Sequence, residues 1–389
     1  MILRRLAFTV LSILSCAAPA AAQETVSDIV GFLVTNQGVQ TGDFERDQAA
    51  AEAARDAITR ALLVNLTSVP LASSSSGFLY RLNPQLGTVE RVTESFGAFF
   101  VERALGPGAG RASFGATVST SAFNRLGDLQ LRDGSLVTVF NQFSDESAPF
   151  DTESLTLRVR SRTLTLFGSV GVTDRLEIGG ALPLVELTLD GQRLNVYRGD
   201  DTLQESGEAS ASGVGDIALR AKYMLVSGAA GALAAAAEVR LPTGDEGNLL
   251  GAGSTSYRFI GVGSLEQGPV GLHVNGGFVT GGISDEINFG AAAGIAVHPR
   301  VTISGEALFR RIDELAEIGL VTEPHPTIIG VETGRLLAGE SGAWVSTAVA
   351  GMKWNAGGSV VVGGHLAFPL VRHGLTGRVT PTFTFEYAF

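Results

Sequence analysis

The sequence predicts an all-β fold: a membrane-spanning antiparallel β-barrel of about twelve strands, preceded by an N-terminal helix and hairpin. Three observations lead to this prediction. The composition is typical of a membrane protein, yet no apolar run is long enough for a spanning helix. Short and long connections alternate along the chain, and the final strand has one apolar and one polar face. Strands, rather than helices, are therefore expected to cross the membrane.

The composition is low in charge and rich in glycine. Of the 389 residues, 17% are charged and 50 are glycine, and the mean hydropathy is +0.25. An average soluble chain has about 25% charged residues. Beyond the N-terminal stretch, no apolar run reaches the ~18 residues that a spanning helix needs, so a closed barrel is the structure that satisfies backbone hydrogen bonds within lipid. The net charge of −11 argues against nucleic acid as a partner.

Residues 1–22 have the pattern of a bacterial secretory signal. Arg4 and Arg5 precede an apolar stretch and a group of small residues that ends at Ala22. The only cysteine, Cys16, lies inside this segment, so the mature chain is predicted to contain no disulfide. A secreted, charge-poor chain of this kind is expected in the envelope of a Gram-negative bacterium.

Residues 23–109 are predicted to plug the barrel lumen or, alternatively, to lie in the periplasm. Apolar residues recur at helical intervals between Asp47 and Leu66, which predicts one amphipathic helix, and a hairpin is expected around Asn83. Twelve strands enclose more space than the roughly eight whose side chains fill a lumen, so a plug docked from the periplasmic side has room. The apolar side chains expected to contact the barrel are Ile58, Leu62, Phe96, Phe99 and Phe100.

Residues 110–389 are predicted to form the barrel. Segments that alternate apolar and polar residues are joined by connections that are in turn short and long. Bacterial outer-membrane barrels have short periplasmic turns and longer extracellular loops, and an even strand count leaves both chain ends in the periplasm. The long connections are predicted at 127–152, 194–212, 243–253, 281–286, 313–342 and 371–376.

The last strand alternates most strictly. Its two faces carry Val379, Phe383, Phe385, Tyr387 and Phe389 on one side and Arg378, Thr380, Thr382, Thr384 and Glu386 on the other. The first face is expected to contact lipid and the second the lumen. An aromatic strand that ends in Phe389 resembles the signal read by the outer-membrane assembly machinery. That machinery is a predicted partner, together with outer-membrane lipid and lipopolysaccharide.

The segment 153–171 has a less simple pattern. Arg158, Arg160 and Arg162 share a parity with Leu164 and Leu166. Either a bulge exchanges the two faces of this strand, or the arginines lie above the membrane. The sequence alone leaves both explanations open.

Charged residues on the strands are predicted to face the lumen, because an Arg or Lys on the lipid face costs about 2–4 kcal/mol near the midplane. These charges either pair with one another in a narrow lumen or line a selective path. The lumen-lining candidates are Arg220, Lys222, Glu238, Arg240, Arg258, His273, Asn275, Glu306, Arg310, Lys353, His365, Arg378 and Glu386.

Several motifs carry a family resemblance. They are GVTDRLE at 171–177, GVGD at 213–216, KY at 222–223, LPTGD at 241–245 and GAG at 251–253. Their succession resembles the family of outer-membrane barrels labelled as meta-pathway phenol-degradation proteins. The resemblance implies a barrel that passes small hydrophobic or aromatic compounds. The N-terminal helix and hairpin resemble the hatch of long-chain fatty-acid transporters.

The sequence offers no catalytic or metal-binding motif. It contains neither the GxSxG elbow nor a histidine pair at zinc-ligand spacing, so the protein is predicted not to be an enzyme and to need no cofactor. The leading hypothesis is a porin-like transport channel of the bacterial outer membrane that passes small hydrophobic or aromatic compounds by passive diffusion. The alternative is a non-conducting structural or surface-binding barrel, and a lipid-modifying enzyme comes third.

Overall fold

The computed structural model describes residues 24–35, 38–67, 80–83, 88–91, 93–228, 231–371 and 373–389. The predicted signal segment 1–22 lies outside the described residues. The N-terminal part contains two helices, α1 (Val26–Thr35) and α2 (Phe44–Thr67), and a two-stranded hairpin of β1 (Tyr80–Asn83) and β2 (Thr88–Arg91). Among the described residues, no helix combines the length and the apolar composition that crossing a bilayer would require.

Twelve antiparallel strands form a closed barrel. Each pairs with the next, and the ring closes where the last strand pairs with the first, with Thr384 opposite Thr117. The strands are β3 (Ala112–Leu126), β6 (Asp151–Gly171), β7 (Leu176–Tyr197), β9 (Ile217–Ser227), β10 (Gly231–Leu241), β11 (Ser256–Gln267), β12 (Val270–Gly281), β13 (Glu286–His298), β14 (Val301–Pro324), β15 (Val331–Gly357), β16 (Val360–Pro369) and β18 (Thr380–Ala388). The predicted twelve-stranded barrel is confirmed.

The two ends of the barrel differ. The tight connections at 172–175, 268–269 and 299–300 lie at one end with the start of β3 and the end of β18; we call this the turn end and the opposite one the loop end. In outer-membrane barrels the turn end is periplasmic. Four further strands lie at the loop end: β4 (Leu129–Gln130), β5 (Leu136–Phe143), β8 (Asp200–Val214) and β17 (Leu375–Gly377).

Several connections predicted as long loops are instead extensions of strands. β7 and β8 form a hairpin across most of 194–212, and β14 pairs with β15 through most of 313–342. These stretches lack the apolar outer face of a membrane strand, which is why they resemble loops in sequence. The strands nevertheless complete their backbone hydrogen bonds with each other, so the barrel wall extends beyond the membrane-facing belt at the loop end.

Strand β6 settles the question left by its arginines. Its pairing with β3 and with β7 runs without a register shift, so one set of alternate residues points outward throughout. Arg158, Arg160 and Arg162 are exposed on the same face as Leu166. The arginines therefore lie above the apolar belt, and no bulge exchanges the faces of this fully described strand.

The inner face of the barrel changes from polar to apolar at the height of these arginines. Near the turn end the inward residues of β6 are polar, as at Ser169, whereas Leu155, Leu157 and Val159 near the loop end are buried and apolar. Below the change the barrel is apolar outside and polar inside. Above it the arrangement is that of a soluble domain, with a hydrophobic core inside and charges outside.

The structure contains one helix, α1, that was not predicted from the sequence. A capping box starts it: the Thr25 hydroxyl and backbone N–H donate to the Asp28 carboxylate (2.7 and 2.9 Å), and the Asp28 N–H donates back to the Thr25 hydroxyl (3.1 Å). The bonds from Thr25, led by that of its hydroxyl, lower the pKa of the Asp28 carboxyl below its usual value. The missed signal is a run of buried residues at helical spacing: Val26, Ile29, Val30, Leu33 and Val34.

Helices α1 and α2, called here the outer helices, occupy the loop end of the lumen. Ile58 and Leu62 of α2 are buried in one cluster with Leu33 of α1 and wall residues such as Leu155 and Leu187. Burying a leucine or isoleucine stabilises by about 1.5–3 kcal/mol. The sequence prediction placed the whole plug at the periplasmic side; the outer helices lie at the opposite end, because the apolar inner wall is there.

Residues 93–105, called here the inner segment, lie at the turn end of the lumen. The chain then passes over the rim into β3. The Gly110 N–H donates to the Gly171 carbonyl, and the Gly171 N–H donates to the Arg111 carbonyl, both at 2.8 Å. The backbone of Gly108 comes so close to Gly171 that a side chain at 171 has no room. The N-terminal part of the protein is thus present at both ends of the lumen.

Candidate functional site in the barrel lumen

Glu306 of β14 fixes the middle of the inner segment. Its side chain is buried, and its carboxylate accepts three consecutive backbone N–H groups, those of Phe99 (2.5 Å), Phe100 (2.9 Å) and Val101 (2.8 Å). Hydrogen bonds to a charged group contribute about 1.5–3 kcal/mol each. A single wall residue therefore determines the path of three residues of the inner segment.

Lys353 of β15 holds the preceding residues in the complementary way. Its buried ammonium donates to the carbonyl oxygens of Gly97 (2.7 Å) and Ala98 (2.8 Å). The same ammonium lies 4.5 Å from the centre of the Phe99 ring, a cation–π contact. The wall thus offers an acceptor to the N–H groups and a donor to the carbonyls of one five-residue stretch.

Glu102 connects the inner segment to the opposite wall. Its carboxylate forms an ion pair with Arg220 and lies 3.7 Å from Lys222, which also pairs with Glu177 at 2.9 Å. The amide of Asn275, oriented to satisfy both its groups, accepts the Glu102 N–H (2.6 Å) and donates to its carbonyl (3.2 Å). The lumen candidates Arg220, Lys222 and Asn275 therefore meet at one residue of the inner segment.

Arg103 is fully buried beneath this contact. Its guanidinium pairs with Glu266 at 3.1 Å and donates to the Ser95 carbonyl (2.9 Å) and the Thr93 hydroxyl (3.3 Å). Lys222 donates to its backbone carbonyl at 3.1 Å. The inner segment is consequently held by charges that belong both to the segment and to the wall.

Replacing Arg103 with methionine should lower the free energy of unfolding by about 1.5–3 kcal/mol, because Glu266, whose side chain is only 12% exposed, loses its charged partner. Urea unfolding in lipid vesicles, followed by tryptophan fluorescence, measures the change. The double variant Arg103→Met with Glu266→Gln should recover much of the loss. Arg55→Met is the matched control, since its pair with Asp56 is exposed and such pairs contribute about 0–1 kcal/mol. Equal losses in both single variants would contradict the assignment.

His273 and Ser264 form a buried serine–histidine pair. The Ser264 hydroxyl lies 2.9 Å from His273 Nδ1 and accepts the Ala104 N–H at 2.9 Å; His273 Nε2 lies 3.8 Å from Glu266. Although hydrolases use the same residue types, this hydroxyl is buried and engaged with the backbone of the inner segment. Its evident role is to hold Ala104. Within the described ranges, no three His, Cys, Asp or Glu side chains converge as a metal site would require.

A second group of charges, called here the middle network, lies farther toward the loop end. Glu238 pairs with Arg240 at 3.0 Å and with Arg258 at 3.9 Å, and Glu286 pairs with Arg310 at 2.5 Å. All five belong to neighbouring strands from β10 to β14. In this structure, the charged wall residues that contact the inner segment and those of the middle network are engaged in ion pairs or backbone hydrogen bonds.

A cavity of about 250 Å³, called here the central cavity, lies in the lumen between the outer helices and the inner segment. Asn65 and Leu66 of α2 bound it on one side, and Phe100 bounds it on the other. Arg240 and Arg310 line part of its wall. A different part, on β3, β6 and β18, presents hydroxyl groups, among them Thr117, Ser119, Ser121, Thr163, Thr165 and Thr382.

The remaining candidates lie in four different places. His365 and Glu386 are buried on the lumen face, and Phe96 and Phe99 are buried within the inner segment. Phe100 is half-buried at the central cavity. Arg378 differs from the prediction: it is exposed on the bend before β18, because that strand begins only at Thr380.

Several residues that hold the lumen together are absent from the sequence prediction. Glu102 and Arg103 lie in a segment without strand alternation, so nothing in their spacing indicates a wall partner. Glu177 and Glu266 lie beside tight turns, where a charge is ordinarily solvated. A usable signal exists for Glu177, since it directly faces Lys222 once β7 and β9 are paired.

The apolar belt, the polar interior and the closed sheet define a membrane-spanning barrel of the bacterial outer membrane. No protein-family model and no curated protein matches the chain. Among solved structures, an outer-membrane channel from Pseudomonas putida F1 gives a TM-score of 0.44 with 13% identity, over 74% of this chain and 98% of its own. The NanC porin gives 0.34 with 5% identity over 70% and 98%. The translocator domain of autotransporter NalP from Neisseria meningitidis gives 0.37 with 11% identity over 72% and 89%.

Proposed function

We propose that the protein is an outer-membrane channel that passes small hydrophobic or aromatic compounds by passive diffusion, and that the structure represents its closed state. The central cavity is the observation that carries this proposal. It lies inside the lumen at the level of the membrane strands, and its lining mixes apolar side chains such as Leu308 with hydroxyl groups. Binding sites for small organic molecules have this composition, largely apolar with a few polar groups.

Passage through the barrel requires the inner segment to move. The cavity is bounded by Phe100, whose backbone N–H is held by Glu306. The apolar clusters between the inner segment and the wall are small, such as Val101 against Ala292, whereas the outer helices share one large cluster with the wall. The charged groups that hold the inner segment can replace these hydrogen bonds with hydrogen bonds to water when the segment moves. The inner segment is therefore a better candidate for the moving part than the outer helices.

Uptake of the apolar dye N-phenyl-1-naphthylamine by intact cells tests the proposal. Cells that produce the protein should take up the dye faster than cells with an empty vector. Phe100→Ala should increase the rate further, because it removes the ring between the cavity and the turn end. Phe44→Ala is the matched control, as that ring is 79% exposed on α2. Rates for the wild type and for Phe100→Ala that equal the vector rate would refute the channel.

A non-conducting surface-binding barrel is the second candidate, and the pairing of the lumen charges favours it. Arg220, Lys222 and Arg310 each have a carboxylate partner, as expected of a lumen that is filled rather than traversed. The two candidates differ in one respect: a filled lumen stays closed even when the hydrogen bonds that hold the inner segment are removed.

We also propose the partners that the sequence predicts, which are lipid, lipopolysaccharide and the outer-membrane assembly machinery. The exposed rings of Phe383, Phe385 and Phe389 are suited to lipid. Exposed carboxylates of the loop-end connections, such as Asp200, Asp201 and Asp245, are suited to divalent cations shared with lipopolysaccharide. Recognition of the last strand by the outer-membrane assembly machinery, through Phe389, rests on its sequence pattern. Kinship with the barrels labelled as meta-pathway phenol-degradation proteins rests on the motifs between 171 and 253.

A further inference from the structure

We infer that the central cavity contains a binding site for a small neutral alcohol with an apolar ring, centred on the imidazole of His365. The inference rests on the proposed channel function and deepens it, because it names the class of ligand for a binding site inside the lumen.

The first observation that suggests a ligand is the environment of the His365 side chain on β16. Its side chain is 5% exposed and lines the central cavity. Among the residues that the structure describes, neither Nδ1 nor Nε2 has a hydrogen-bond partner. Buried polar side-chain atoms nearly always have one. By contrast His273, also buried in the lumen, is hydrogen-bonded to Ser264.

Two aromatic rings of the inner segment flank the imidazole. The Phe99 ring lies 4.4 Å and the Phe100 ring 5.0 Å from it, measured between ring centres, and Phe100 also lines the cavity. Leu308 and Ala367 add aliphatic surface to the same lining. A ring next to His365 would therefore find an apolar environment on several sides.

The hydrogen-bonding capacity of the site matches a hydroxyl group. A neutral imidazole offers one N–H donor and one acceptor nitrogen, and an alcohol likewise donates one hydrogen bond and accepts others. The hydroxyl of Thr382, which lies opposite His365 on β18 and lines the same cavity, has the same dual character. A hydrocarbon would leave both nitrogens of His365 without a partner, whereas an alcohol can form a hydrogen bond with one of them.

The charges around the cavity and its volume further restrict the class of ligand. Arg240 and Arg310 are already paired with Glu238 and Glu286, so a carboxylate ligand would have to displace a buried carboxylate to reach them. Pockets for drug-sized ligands measure about 300–1,000 Å³. A cavity of about 250 Å³ suits a smaller molecule, of the size of benzyl alcohol or cyclohexanol.

Histidine side-chain NMR of the full-length protein in lipid nanodiscs tests the inference, with benzyl alcohol as the probe and toluene and benzoate as comparators. Benzyl alcohol should shift the ring resonances of His365 in a saturable manner and leave those of exposed His298 unchanged. His365→Phe keeps a planar ring but removes both nitrogens, and should weaken binding by about tenfold or more. Because this variant lacks the His365 signal, binding to the variants is followed through the resonances of the benzyl alcohol itself. His298→Phe is the matched control and should bind like the wild type.

Binding of toluene or benzoate as tight as that of benzyl alcohol would overturn the inference, as would equal affinities of the two phenylalanine variants. If His365→Phe does not fold, His365→Gln retains a donor and an acceptor and should keep the preference for the alcohol over toluene. The measurement is made at equilibrium on the closed protein. A channel that fails the dye assay therefore leaves the binding result intact, and a missing site leaves the dye result intact.

Discussion

Replacing Glu306 and Lys353 together with alanine should release residues 97–101 from the barrel wall and turn a closed lumen into a conducting one. The double variant removes the acceptor of three backbone N–H groups and the donor to two carbonyls. Each of these hydrogen bonds to a charged group contributes about 1.5–3 kcal/mol. The freed backbone groups can regain partners only by leaving the wall for water.

Single-channel recording in planar bilayers measures the effect. We expect the conductance of the double variant to exceed that of the wild type by at least about tenfold, since a lumen of twelve strands is wider than its own side chains fill. The control is the double variant Arg311→Ala with Asp313→Ala, which removes an exposed pair 3.5 Å apart on the same strand. A folded double variant at Glu306 and Lys353 that stays silent would favour the non-conducting barrel.

A single cysteine at position 24 should be labelled from outside the cell. Directly after this position, the Ser27 N–H donates to the Gly247 carbonyl (3.0 Å) and the Val26 N–H to the Asn248 side chain (3.3 Å), both in a connection at the loop end. Because the loop end of an outer-membrane barrel is extracellular, this part of the chain is expected at the cell surface. The start of β3, at Ala112, is expected in the periplasm.

The measurement uses a membrane-impermeant maleimide on intact cells that carry Glu24→Cys in a Cys16→Ser background. We expect nearly complete labelling. Ala109→Cys is the matched control; residue 109 is exposed at the turn end, where its N–H donates to Asp174. It should react only after the outer membrane is permeabilised. Protection of position 24 together with labelling of position 109 would show that the orientation is reversed.

The barrel could be predicted from the sequence because lipid imposes one rule on every strand. An outward residue in the belt must be apolar, so the alternation in β18 fixes both its conformation and its faces. The same rule explains where prediction failed. Above the belt, around Arg158 and Leu157, the outer face is charged and the inner face is apolar, so a strand no longer resembles a membrane strand.

The lumen contacts were less predictable for a different reason. Side chains such as Glu306 and Lys353 could be placed on the inner face by parity, but their partners are backbone groups of the inner segment, which any sequence provides. The pairing of Glu102 with Arg220 joins residues more than a hundred positions apart without any local pattern. Helix α1, by contrast, had a clear local signal in its capping box and its apolar spacing.

The way the inner segment is held has a practical consequence for following its motion. The whole sequence contains two lysines, Lys222 and Lys353, and all its other basic residues are arginine or histidine. Both ammonium groups are buried against carbonyl oxygens of the inner segment. Apart from the chain terminus, an amine-selective acylating reagent should therefore find no accessible target while the lumen is closed, and acquire two when the segment withdraws. Mass spectrometry of acylated protein thus reports the fraction of molecules that have opened, and it needs no introduced label.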